Sequence, residues 1–206
     1  SYFQVLPLMA RRIATGSTAR VRQQRFEVGL DFGAVITEVP GGWLPDSVEV
    51  VYGGVLDDTL TQISAEQAAG KLVLLDPGAR SLRLSPQAYR VSRGSRFATA
   101  VAVAVPVWET IASSAQRDVL APLLESPVPV PADGRAPHPP TLLVTREFAA
   151  ALRQVADSGA PGERVGLDLA LRETPVARNV VAILPGSDSL LRGEYIALGA
   201  HSDHDG

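Results

Sequence analysis

The sequence of 206 residues contains no cysteine. That excludes a disulfide framework and a thiol nucleophile, and it leaves the redox compartment open in both directions, an exported bacterial protein included. Long apolar runs are missing as well. The longest, Phe97 to Trp108, is rich in alanine and valine, is broken by Pro106, and falls well short of the ~20 residues a membrane-spanning helix needs. It reads as a buried strand. There is no block of Lys and Arg: the densest basic group is the scattered set Arg11, Arg12, Arg20, Arg22 and Arg25, and the formal net charge is −3. Nucleic acid is therefore not an expected partner. No basic-then-apolar leader opens the chain at Ser1, and Gly206 directly follows a polar cluster, so both ends are expected to be cuts within a longer protein.

What is present is globular composition, 46% hydrophobic and 20% charged, enough for a core in one or two small domains. Residues 2–32 read as short strands separated by polar turns. After the turn-rich Pro40-Gly41-Gly42-Trp43-Leu44-Pro45, the β-branched and aromatic run 48–52 predicts a strand. Ser64-Ala65-Glu66-Gln67 has the capping-box pattern of a short helix, closed at Gly70, and 71–75 follows as a buried strand. A helix is expected from Ser85, a strand over 97–105, and helical pattern over 108–124. Six prolines between Ser126 and Pro140 argue against a helix there and for an exposed polyproline-like loop. Residues 142–144 predict a strand, with Thr145 as N-cap of a helix carrying Phe148, Leu152 and Val155 on one face. Strands are expected over 165–171 and 179–184, with a turn at Pro185-Gly186-Ser187-Asp188.

The chemistry is concentrated at the end. An apolar strand, Tyr195 to Ala200, delivers His201-Ser202-Asp203-His204 at its carboxyl end, where α/β sheets build their sites. In extended backbone His201 and Asp203 share a side, so the carboxylate can orient the imidazole as metal-bound histidines require. Zinc binds imidazole and carboxylate, but a catalytic site needs about three protein ligands, and the others are expected beyond Gly206.

Ala177-Arg178-Asn179-Val180-Val181-Ala182-Ile183-Leu184-Pro185-Gly186, then Gly193-Glu194-Tyr195 and Gly199-Ala200-His201-Ser202-Asp203-His204, resembles the opening of the catalytic domain of bacterial leucyl-aminopeptidase-type di-zinc exopeptidases. The resemblance implies that His201 binds one of two zinc ions and that Asp203 is a catalytic residue acting beside the metal. It departs from the family at Ser202, often aromatic there, and at Asp205, commonly apolar; neither position is a ligand in the family. Val48 to Gly54, Gly70 to Leu75, Phe97 to Val105 and Leu142 to Glu147 resemble a protease-associated domain, a module inserted ahead of the metal-binding motif in many such peptidases. Tyr2 to Leu8 resembles the edge element that precedes the insertion.

Other candidates have plainer readings. His138 among prolines is a solvated loop residue, Trp43 and Trp108 pack, and Asp57-Asp58 and Glu49 lack the regular oxygen-ligand spacing of a calcium site. Ser64 and Ser85 are helix caps rather than nucleophiles.

The expectation is thus an α+β chain: 1–31 an N-terminal piece of a catalytic domain, 32–173 a protease-associated domain of mixed strands and short helices, and 174–206 the start of an α/β zinc-exopeptidase domain. The resemblance implies a zinc-dependent aminopeptidase releasing N-terminal amino acids from peptide or protein substrates. It would carry two zinc ions when complete, sit outside the cytoplasm, secreted or periplasmic, and need the remainder of its catalytic domain. This chain alone is expected to be inactive. The alternative is a non-catalytic binding or scaffold protein with a peptidase-like fold.

Overall fold

The computed structural model describes residues 2–5, 8–35, 45–56, 58–78, 95–112, 127–129, 139–158, 163–175 and 178–184, together with 187, 188, 190, 191, 193, 194, 196 and 198. These form two compact units, one from 1–6 and 177–206, the other from 7–176. The architecture is α+β.

In the first unit, β1 (Tyr2–Val5) pairs antiparallel with β14 (Arg178–Val181), Tyr2 opposite Val181 and Val5 opposite Arg178. The strand expected over 179–184 therefore lies at 178–181, and Ala182 to Leu184 are outside it.

The second unit is built on a five-stranded sheet in the order β5 (Phe32–Val35), β11 (Thr141–Val144), β9 (Ala102–Pro106), β8 (Leu72–Asp76), β7 (Val50–Val55). The last four are parallel; β5 runs against β11. Parallel strands covered on both faces read as continuous apolar runs, as Leu72 to Leu75, Ala102 to Val105 and Leu142 to Val144 do. Their side chains alternate between two cores. Leu72, Leu74, Ala102, Ala104, Leu142 and Val144 face one, packed against helix α3 (Arg146–Ser158) and a second sheet; Val73, Leu75, Val103, Val105 and Leu143 face the other, with Phe97, Val107 and Trp108.

The second sheet, of four antiparallel strands, runs β4 (Gln24–Glu27), β3 (Thr18–Val21), β12 (Val165–Asp168), β6 (Ser47–Val48). A third, β10 (Pro127–Pro129), β2 (Leu8–Ile13), β13 (Leu171–Pro175), is also antiparallel. These pairings place residues 8–27 in the unit of 7–176, together with 32–173. The expected strand 165–171 is two strands: β12 ends at Asp168 and β13 begins at Leu171 in a different sheet.

Two further expectations are corrected. Residues Phe97 to Ala100 form a turn, and the strand starts only at Ala102; an Ala/Val-rich buried run does not by itself distinguish the two. Within the proline-rich segment, 127–129 is a strand. It sits at the edge of its sheet, the position where a missing N–H does no harm. Of the helical pattern at 108–124, the described part is α2 (Trp108–Ala112). The remainder of that pattern, the expected helix at Ser85, Trp43, Asp57 and His138 lie outside the described residues.

The local signals at the helix starts hold. In α1 (Ala65–Ala68), the Gln67 N–H donates to Ser64 Oγ at 3.2 Å and the Ser64 N–H to Gln67 Oε1 at 2.9 Å, and Gly70 takes the positive φ of +70°. Thr145 caps α3, its Oγ1 accepting from Phe148 N–H at 3.2 Å. Because α1 is a single turn, its cap is a large share of what holds it. Ser64→Ala should lower stability by ~1 kcal/mol, read as a shift of the urea midpoint at unchanged slope. A loss under a few tenths would show that packing alone fixes this turn.

Candidate functional site

Both predicted site residues, His201 and Asp203, lie outside the described residues, as do Ser202, His204 and Asp205. The approach to them differs from expectation. Ile196 and Leu198, the described positions of the expected strand at 195–200, belong to no strand, and their side chains are 93% and 95% exposed. Upstream, Asp188 Oδ1 accepts from the N–H groups of Leu190 and Leu191, at 2.7 and 3.2 Å, and Glu194 N–H donates to Leu191 O at 2.9 Å. These bonds close a turn over 188–191; Pro185 and Gly186 of the turn expected at 185–188 lie outside the described residues. Among the described residues there is no group of three or more His, Cys, Asp or Glu side chains that could hold a metal ion.

The charged clusters of the second unit tie elements together. Tyr52 on β7 donates its phenolic O–H to Asp76 Oδ2 at 2.6 Å, and Arg153 of α3 lies over the Tyr52 ring, 3.6 Å from its centroid. Arg153 Nε in turn donates to both oxygens of Asp157 at 2.9 Å. The hydrogen bond to the Asp76 carboxylate, with burial, holds the Tyr52 phenol above the ordinary tyrosine range, since ionising it would place two negative charges together; Arg153 opposes the shift. The phenol stays protonated and acts as a donor. Arg22, at the tip of the β3–β4 hairpin and at positive φ, pairs with Glu163, which also accepts from Ser158. Those two hydrogen bonds, Arg22 first, keep the Glu163 carboxyl below the usual range. Glu109 Oε1 accepts from the N–H of Arg146 at 2.6 Å, a second cap for α3. Trp108 packs: its Nε1–H donates to Leu30 O at 2.9 Å, and a Cβ on Gly33 would stand 2.5 Å from its ring. Ser64 takes the cap role expected of it, and Glu49 is the ion-pair partner of Lys71 and Arg164.

One feature at the carboxyl edge of the parallel strands went unread in the sequence. After the bulge at Gly53 and Gly54, residues 58–62 fold back on the end of β7. Gln62 Nε2 donates to Val55 O and Leu56 O at 2.9 and 2.8 Å, Val55 N–H donates to Thr61 Oγ1 at 3.2 Å, and Leu60 N–H to Asp58 Oδ1 at 3.0 Å. Leu60 stands at the tip with 95% of its surface exposed. The Asp-Asp-Thr segment signals a turn, but nothing in it signals which way the leucine faces.

No protein-family model matches the chain, and no curated protein matches its sequence. Among solved structures it is similar to an aminopeptidase from Aneurinibacillus sp. strain AM-1, with 14% identity, 84% of this chain and 35% of that one covered, and a TM-score of 0.40. It is also similar to a peptidase M28 precursor from Shewanella amazonensis SB2B, with 14% identity, 86% and 39% covered, and a TM-score of 0.44. The chain spans little more than a third of the length of either. Both neighbours are peptidases by name, and a likeness this distant assigns neither fold nor activity.

Proposed function

We propose that this chain is part of a zinc-dependent aminopeptidase, in which the unit formed by 1–6 and 177–206 belongs to the catalytic domain and 7–176 is a protease-associated insertion serving as lid or binding module. The observation that carries the reading is the pairing of β1 with β14, which makes one ribbon of the two ends of the chain and leaves everything between them as an excursion. An inserted domain ahead of a metal-binding motif has this form. The motif itself, Gly-Ala-His-Ser-Asp-His at 199–204, supplies one zinc donor, His201, and a carboxylate two residues on, Asp203, to hold that imidazole. Zinc, when bound, polarises the scissile carbonyl and lowers the pKa of its water. The residues of this chain bind and orient it; further ligands and a glutamate base come from sequence beyond Gly206.

The surface of the first unit supports an incomplete domain. Ile183, Leu184, Leu190, Leu191, Ile196 and Leu198 are all exposed around a two-stranded ribbon, and such a ribbon is marginal without further strands or helices against it. The remainder of the catalytic domain would cover them. An exported or periplasmic location and peptide or protein substrates belong to the same reading; among the described residues no helix is long and apolar enough to cross a membrane.

The test is zinc content and aminopeptidase activity of the full-length gene product beside His201→Ala and Asp203→Asn. Two zinc ions per chain are expected. Activity should fall by more than about a hundredfold in His201→Ala, with loss of a metal, and by roughly 10- to 100-fold in Asp203→Asn with metal largely retained. A metal-free, inactive wild type would replace this reading by a scaffold.

A further inference from the structure

We draw no further inference here: the strongest candidate, the outer edge of β7 beside the side-chain cluster of Tyr52, Asp76 and Arg153, carries none, because the polar groups of that cluster are engaged with one another and with Asp157 and nothing in the structure shows what covers the edge.

Discussion

Phe148→Ala lowers the stability of the 7–176 unit by about 3–5 kcal/mol, the largest loss expected from any single side chain in it. Three of the chain's five phenylalanines meet at this point. Phe148 is fully buried, its ring stacked on Phe26 at 4.2 Å between centroids and 9° between planes, with Phe32 edge-on at 5.6 Å and 64°. Those three residues come from α3, β4 and β5, so one ring joins the helix to both the four-stranded and the five-stranded sheet. Aromatic contacts of these geometries add ~0.5–1.5 kcal/mol apiece to the area they bury. A cavity at a junction of three elements has no single neighbour able to collapse into it, which is why the upper half of the range is expected. Urea denaturation should show the midpoint falling at nearly constant slope, and Phe148→Leu should recover most of the loss. A cost below ~1.5 kcal/mol would mean that the two sheets hold together through the aliphatic contacts alone.

Gly54→Ala is expected to cost roughly 3 kcal/mol or more, by a different cause. The backbone there has φ +97°, and an added Cβ would stand 2.3 Å from Thr61 O and 2.7 Å from its carbonyl carbon. Both atoms are backbone, so neither can rotate away. Gly16 separates the two effects: it has φ +94° and nothing within 4 Å, so Gly16→Ala carries the dihedral penalty alone, ~1–2 kcal/mol. The excess at Gly54 measures the closeness of the Thr61 backbone to the end of β7. If the two alanine variants lose the same stability, residues 58–62 are held more loosely than their hydrogen bonds imply.

These two positions show what a sequence discloses and what it withholds. The central strands were legible because both their faces are covered, which leaves uninterrupted apolar runs at 72–75, 102–105 and 142–144. The caps at Ser64 and Thr145 were legible because a cap is a local event, settled within four residues. The partnership of β3 and β4 with β12 was not: it spans about 140 residues, its strands are four residues long, and their one buried face leaves only Ala19, Val21, Phe26, Val165 and Leu167 as a signal. Those distant pairings are what place residues 8–27 in the unit of 7–176. Phe97 to Val105 misled because apolar composition reports burial, and a buried turn satisfies it as well as a strand. Of the candidate site, the motif at 201–204 is a pattern of residue types, and its roles rest on resemblance.

The ribbon of β1 and β14 has a further consequence, for how such a chain can be rebuilt. Val5 stands opposite Arg178 in the first unit, and Met9 opposite Pro175 in the second, so each unit holds the two severed ends of its own backbone side by side. A two-residue turn between Val5 and Arg178 would close the ribbon as an ordinary hairpin in its existing register, without the 7–176 unit. The same unit, entered at Leu8 and left at Pro175, is a cassette with adjoining ends, portable into any hairpin loop of another protein. Lengthening an excursion from a few residues to about 170 raises the closure cost by (3/2)RT times the logarithm of the ratio of the lengths, about 3 kcal/mol, which a self-sufficient core repays.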